Sequence, residues 1–166
     1  MTVRTYLDTG VLIAAYQGDH ASHEVALKII MESAEREFVS SDLVKLELLP
    51  KALFYRRADE FEFYNTFLSN VDVRVVDSNS ISVGAFELSS KYGLAACDAL
   101  HIHTAMNSSV TEFITTEKQG KAFFRIPANI LTTTSIHVNI KPKNKGFLHC
   151  FLACFINVNK RQKFNP

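Results

Sequence analysis

Strand-like and helix-like segments alternate along most of this chain, and their order constrains the fold more than any other feature. The segments at residues 3–7, 37–40, 71–76 and 111–116 are short and resemble strands in their β-branched or alternating apolar residues. Between them lie pairs of segments with apolar residues at helical spacing. The predicted order is β-α-α-β-α-α-β-α-α-β, which is typical of a parallel sheet covered by helices on both faces.

Helical periodicity predicts six helices. They cover residues 9–17, 20–36, 42–57, 58–70, 78–92 and 96–107. Ser40 or Ser41 is suited to cap the third helix, and Pro50 within it predicts a bend or break, because proline removes a backbone donor. A fifth strand is predicted at either FFRI or SIHVNI, so we expect a sheet of four to five strands.

Size and composition indicate a single domain with a substantial core. The chain has 166 residues, of which 47% are hydrophobic, and domains of about 150 residues bury roughly two-thirds of their unfolded surface. The three cysteines (Cys97, Cys150 and Cys154) are too scattered for a disulfide framework and are typical of a reducing cytosol. No apolar run approaches the roughly 20 residues that span a bilayer, so we expect a cytoplasmic protein without a membrane segment.

Charge is distributed unevenly along the chain. Residues 1–117 hold all 17 acids and half of the 18 lysines and arginines, a net charge of −8, whereas residues 118–166 hold no acid and carry +9. The run KPKNKG suggests a domain at residues 1–137 and a basic tail at residues 138–166. Such asymmetry indicates either a nucleic-acid contact or an unrelated tail on an acidic domain. The sequence leaves open whether the tail folds, binds RNA phosphates or hangs free.

Four acids stand out by their positions. Asp8 follows the first strand and Glu117 follows the EFITT strand, and open α/β sheets bind ligands at the carboxyl ends of their strands. Glu47 lies among the apolar residues of LVKLELLPKAL, where a carboxylate is costly unless it is paired. Asp98 lies in the first turn of a helix, whose dipole stabilises a negative charge. Each also has an ordinary explanation: Asp8 or Asp98 as a helix cap, Glu47 as an exposed helical residue, and Glu117 as a turn residue.

These four acids and their surrounding segments resemble the PIN-domain family of metal-dependent nucleases. The resemblance rests on YLDTGVLIAAY with Asp8, SDLVKLELLPKAL with Glu47, YGLAACDALHIHTA with Asp98 and EFITTEKQGKAF with Glu117. It covers about residues 3–137 in the family's order and spacing. Within the family, its motifs most resemble those of small bacterial members that are the toxins of VapBC-type toxin–antitoxin pairs. Where many members have Ser or Asn this chain has Gly10, and Glu117 replaces the more usual Asp.

The resemblance implies a three-layer α/β/α sandwich and Mg²⁺- or Mn²⁺-dependent endonucleolytic cleavage of RNA. Hard cations take carboxylate oxygens as ligands, and the family pattern implies four catalytic, metal-binding acids: Asp8 and Asp98 as core ligands, then Glu47, with Glu117 at a second or water-bridged metal. Thr9, Thr116 and His101 are candidates for orienting carboxylates or substrate, and His101 also suits a structural role. The implied partners are single-stranded or structured RNA, a cognate antitoxin that covers the acidic site, and a second copy of the chain.

Two other functions compete with this interpretation. A haloacid-dehalogenase-like phosphatase also has an acid after its first strand, but it needs a second Asp two positions later, where this chain has Gly10. The other alternative is a PIN-like module that only binds RNA or a protein. His20 and His23 resemble a metal pair, but no further ligand lies nearby in sequence, so we interpret them as a helix start. The run HCFLAC, residues 149–154, is only a weak zinc-like cluster.

Overall fold

Five strands form one parallel sheet in the computed structural model, which describes residues 2–18, 22–31, 34–74 and 78–137. The strands are Val3–Leu7 (β1), Arg36–Ser41 (β2), Asp72–Arg74 (β3), Glu112–Thr115 (β4) and Thr132–Ser135 (β5). Their order across the sheet is β3-β2-β1-β4-β5, and every neighbouring pair is parallel. The chain moves outward from β1 to β3 and then crosses to the other side of β1, so the topological switch point lies between β1 and β4.

Within the described residues, six helices flank the sheet and confirm the predicted α/β/α architecture. They are Thr9–Tyr16 (α1), His23–Met31 (α2), Asp42–Phe54 (α3), Ala58–Ser69 (α4), Ser78–Tyr92 (α5) and Ala96–Asn107 (α6). The second helix is shorter than the predicted 20–36, because the chain turns at residues 34–35 and enters β2 at Arg36. The predicted helix start at His23 is confirmed, whereas His20, HCFLAC and the tail at 138–166 lie outside the described residues.

Of the bend or break predicted at Pro50, the break does not occur. Helix α3 continues through Pro50 to Phe54. Proline deprives the carbonyl four residues earlier, that of Leu46, of its helical donor. Leu46 is 69% exposed, so water can satisfy that carbonyl and the helix does not need to end there.

Of the two segments suggested for the fifth strand, FFRI is wrong: this region forms a short 3-10 helix, Ala122–Arg125. The strand is Thr132–Ser135, which includes Ser135 of SIHVNI but not Ile136 or His137, and residues 138–140 of that segment lie outside the described residues. Its sequence, TTTS, lacks the alternation of apolar and polar residues on which the prediction depended. Threonine is β-branched and suits a strand, and β5 lies at an edge of the sheet, where it pairs only with β4.

An aromatic stack fixes β1 beside β4. The ring of Tyr6 lies parallel to that of Phe113 at 5.4 Å between centroids, and Phe113 stacks in turn on Phe123 of the 3-10 helix at 5.4 Å. All three side chains are buried, and truncating a buried Phe to Ala typically costs about 3–5 kcal/mol. This packing sets the positions of the strand ends that follow, including Asp8.

Among the described residues, no helix is long and apolar enough to cross a membrane.

Candidate active site at the ends of β1 and β4

Asp8 lies where β1 meets β4 at the switch point of the sheet. Leu7 pairs with Ile114, and the backbone N–H of Asp8 donates to the Ile114 carbonyl at 2.9 Å. Asp8 is therefore opposite Thr115, the last residue of β4, and Glu117 follows two residues later. The sequence-based placement of Asp8 and Glu117 at the same edge of the sheet agrees with this geometry.

The carboxylate of Asp8 bonds to β4 rather than capping α1. Asp8 occupies the N-cap position with an extended backbone, but its side chain makes no capping hydrogen bond. Instead the Thr115 hydroxyl donates to Asp8 Oδ2 at 2.7 Å. Burial raises the pKa of Asp8 above its usual value, although this hydrogen bond and the nearby His101 act in the opposite direction. The capping explanation therefore does not account for this acid.

Glu47 of α3 faces α1 and α6. The Thr9 hydroxyl and His101 Nε2 both bond to its Oε2, the second at 3.2 Å. The pKa of Glu47 is lowered, chiefly by the hydrogen bond from His101. Glu47 is thus a half-buried, partnered carboxylate and not a freely solvated helical residue.

Asp98 has the negative charges of the other three acids around it. It is the third residue of α6, whose N-cap is Ala95, so the suggestion that Asp98 caps the helix is wrong. The pKa of Asp98 is raised, first by burial and then by the charges of Asp8, Glu117 and Glu47. We call Asp8, Glu47, Asp98 and Glu117 the acidic cluster.

Glu117 is anchored by its backbone and exposes its side chain. Its N–H donates to Thr115 Oγ1 at 3.1 Å, and its carbonyl accepts a hydrogen bond from the Ser135 hydroxyl at 2.6 Å. Thr115 therefore holds both Asp8 and the start of the Glu117 loop. Thr115 was not predicted from the sequence, whereas its neighbour Thr116 was.

Thr116 packs against the first turn of α1. A Cβ atom placed on Gly10 would lie only 2.3 Å from Thr116 Oγ1, so the absence of a side chain at position 10 is what admits this hydroxyl. Among the described residues, no hydrogen bond joins Thr116 to an acid, in contrast to Thr9. Gly10 also offers no second carboxylate near Asp8, which removes the phosphatase alternative.

Several acids elsewhere in the fold are paired with arginine, in contrast to the acidic cluster. Arg4 bonds to Asp72 at 2.7 Å, Arg36 to Glu112 at 3.1 Å and Arg57 to Glu60 at 3.1 Å. Within the described part of the chain, no Lys or Arg forms an ion pair with any member of the acidic cluster. Within the described residues, hydrogen bonds to Asp8 and Glu47 and the nearby charge of Lys51 offset part of its negative charge.

The donor chemistry of the acidic cluster fits a hard divalent cation. Carboxylate oxygens are the ligands that Mg²⁺ and Mn²⁺ prefer, and a cation would offset the repulsion that raises the pKa of Asp98. Over residues 2–18, 22–31, 34–74 and 78–137, no three Asp, Glu, His or Cys side chains converge closely enough to enclose an ion.

Comparison with known proteins supports the family assignment. The family model described as "PIN domain" matches residues 5–127. Among solved structures, a toxin–antitoxin complex from Klebsiella pneumoniae has 21% identity and a TM-score of 0.59, covering 80% of this chain and 97% of that one. The VapBC2 structure from Rickettsia felis, bound to a DNA fragment from its promoter, has 17% identity and a TM-score of 0.60, covering 80% and 98%. At these sequence identities, the structural similarity shows a shared fold. No match was found among curated proteins. The match to the family model covers most of the chain, which therefore belongs to the PIN domain family, as its motifs predicted.

Proposed function

We propose that this protein is a divalent-metal-dependent endoribonuclease and the toxin of a toxin–antitoxin pair. The observation that carries the proposal is the acidic cluster at the switch point of the sheet, where burial and then the charges of the three other acids raise the pKa of Asp98. Membership in the PIN domain family supports nuclease chemistry at these positions. The two similar toxin–antitoxin structures support the biological role.

In this proposal, Asp8 and Asp98 are the core ligands for Mg²⁺ or Mn²⁺, with Glu47 and Glu117 completing the set. A bound divalent cation lowers the pKa of a coordinated water and stabilises negative charge on a phosphate. The protein holds the carboxylates in place: Thr115 fixes Asp8, while Thr9 and His101 fix Glu47. Glu117, the most exposed of the four acids, lies on the side from which solvent and substrate approach.

Charge repulsion is a second reason why RNA binding at this site would require a cation. Four carboxylates repel the phosphates of RNA, so the free site disfavours substrate until positive charge is added. Lys118 and Lys121 are exposed directly after Glu117 and can attract the RNA backbone beside the site. The basic residues of the tail extend the same charge in sequence.

An antitoxin and a second copy of this chain are the proposed protein partners, and the cytoplasm is the proposed location. The most exposed large apolar side chains of the described helices lie on two of them. They are Leu46, Leu53 and Phe54 on α3 and Val83 and Phe86 on α5. Exposed apolar groups of this size favour association with another protein surface. Co-purification with the product of a small adjacent open reading frame would support the toxin role.

Cleavage of a structured RNA and of a single-stranded RNA tests the proposed chemistry. We expect the wild-type protein to produce internal fragments with Mg²⁺ or Mn²⁺ and none with EDTA. Asp8→Asn should abolish cleavage, whereas Asp59→Asn, which changes an exposed acid of α4, should not. Cleavage in EDTA, or full activity of Asp8→Asn, would contradict the proposal. RNA or partner binding without any metal binding would instead support a non-catalytic module.

A further inference from the structure

The two hydrogen bonds to Glu47 are made to the same carboxylate oxygen. Thr9 Oγ1 and His101 Nε2 both bond to Oε2. Among the described residues, no hydrogen bond or ion pair to Oε1 is present. An ionised carboxylate has two oxygens, each with acceptor capacity. One oxygen of Glu47 is thus committed to the protein and the other is available.

A line of buried hydroxyl and ring groups lies behind His101. Its Nδ1 is 2.9 Å from the Tyr6 hydroxyl, which is 2.6 Å from the Ser41 hydroxyl. Ser41 and Tyr6 are fully buried and His101 is 3% exposed. Tyr6 is immobilised by its stacking on Phe113, and the His101 ring meets it edge-on at 5.9 Å between centroids.

The chemistry of these groups sets the direction of the hydrogen bond to Glu47. An ionised carboxylate can only accept, so His101 Nε2 carries the hydrogen. On the other side of the ring, Nδ1 and the Tyr6 hydroxyl share a hydrogen bond, and the Tyr6 hydroxyl also bonds to that of Ser41. The hydrogen-bonded line therefore extends from Ser41 through Tyr6 and His101 to Glu47.

We infer that His101 is a positioning residue that fixes one oxygen of Glu47 and presents the other to a divalent cation, with Tyr6 and Ser41 holding its ring. The inference rests on the proposed function, because it gives the available oxygen a ligand role. Glutamate has a long side chain that loses rotamer freedom when it is held in one position. Two donors on a rigid support provide that restraint before the cation binds.

The ring nitrogens of His101 test the hydrogen-bond arrangement without metal or RNA. We expect nitrogen-15 spectra of the metal-free wild-type protein near neutral pH to show a hydrogen on Nε2, the nitrogen that bonds to Glu47. Tyr6→Phe removes the hydrogen-bond partner of Nδ1 and should change the ring resonances. The control substitution His103→Gln changes a residue of the same helix, whose ring bonds to Asn107, and should leave them unchanged. A ring without a hydrogen on Nε2 would overturn the inference.

Binding of Mn²⁺ alone, measured by calorimetry, tests the positioning role. Loss of an outer-shell partner typically weakens metal affinity by about 10–100-fold, and we expect a change of that size for His101→Ala. His101→Gln should recover part of the affinity, because its amide can donate to Glu47. Tyr6→Phe should weaken binding although Tyr6 contacts no acid of the cluster directly. The control His103→Gln should bind as the wild-type protein does.

Failure of this inference differs from failure of the proposed function. Wild-type Mn²⁺ affinity in folded His101→Ala and Tyr6→Phe proteins would overturn the positioning role and leave the nuclease proposal standing. Circular dichroism establishes that each variant is folded, and His101→Gln replaces His101→Ala if the latter does not fold. A wild-type protein that neither binds Mn²⁺ nor cuts RNA would overturn the proposed function, and the ring-nitrogen spectra would still decide how Glu47 is held.

Discussion

The close approach of Gly10 to Thr116 predicts that the effect of Gly10→Ala on stability reverses its sign with the residue at position 116. In the wild-type background, the new Cβ would lie 2.3 Å from Thr116 Oγ1, far inside van der Waals contact. If Thr116 is first changed to Ala, the closest remaining atom is its Cβ, at 3.5 Å, which is an ordinary contact. The same added methyl group is thus overpacked in one background and accommodated in the other.

The expected magnitudes follow from two opposing effects. Overpacking a close contact typically costs about 1–3 kcal/mol. Replacing a helical Gly by Ala gains roughly 0.5–1 kcal/mol, because alanine loses less backbone entropy on folding. We therefore expect Gly10→Ala to destabilise the wild-type protein by up to about 2 kcal/mol and to stabilise Thr116→Ala by about 0.5–1 kcal/mol. The coupling free energy between the two positions should be about 1–3 kcal/mol.

Urea denaturation of the two single variants, the double variant and the wild-type protein measures this coupling. Thr132→Ala supplies a control background, since Thr132 is exposed on β5 and its effect should add to that of Gly10→Ala. Equal effects of Gly10→Ala with Thr or Ala at position 116, within about 0.5 kcal/mol, would refute the close approach. Such a result would also remove the physical explanation for glycine at position 10.

Three further predictions concern the acidic cluster. Thr115→Val should lower the free energy of unfolding in urea by about 1–3 kcal/mol, because Asp8 and the Glu117 N–H lose their shared partner; an unchanged midpoint would contradict this. Asp98→Asn should raise the melting temperature in EDTA at pH 7. Because the pKa of Asp98 is raised in the folded state, its ionised form destabilises that state. This destabilisation is present above the folded-state pKa and vanishes below the unfolded-state pKa of about 3.9. A lower melting temperature at pH 7 would argue against this. Adding Mn²⁺ at about 100 times its Kd should stabilise the wild-type protein by about 2.7 kcal/mol, and calorimetric scans of Asp8→Asn should show a clearly smaller increase.

The carboxyl ends of the strands, where Asp8 lies, were predicted well because the strand and the helix on either side of Asp8 have strong local patterns. Asp8 follows a β-branched strand and precedes an apolar helix, and parallel strands bring such junctions together. The edge strand β5 was misplaced because its polar sequence gives no alternation. Its position depends on pairing with β4, which local propensity does not encode.

The details of the site depend on register and on contacts between distant residues. The sequence alone does not show which of the adjacent residues Thr115 and Thr116 faces Asp8. The pairing of Leu7 with Ile114 places Thr115 opposite Asp8. Tyr6 was predicted simply as a strand residue, since its hydroxyl partners lie 35 and 95 residues away in sequence. The partnering of Glu47 was expected from its apolar neighbours, but the identity of its partners was not.

The crossover from β3 to β4 also determines when the site can assemble during synthesis. The hydrogen bonds that position Glu47 join residues 38 and 54 apart, and the one that positions Asp8 joins residues 107 apart. A nascent chain that ends after α4 contains Asp8 and Glu47, but one side of β1 still lacks its neighbouring strand. Chains fold from the N-terminus as they emerge, and pairings across long sequence separations form slowly. For the proposed nuclease, we therefore expect a chain that ends before β4 to lack a complete site.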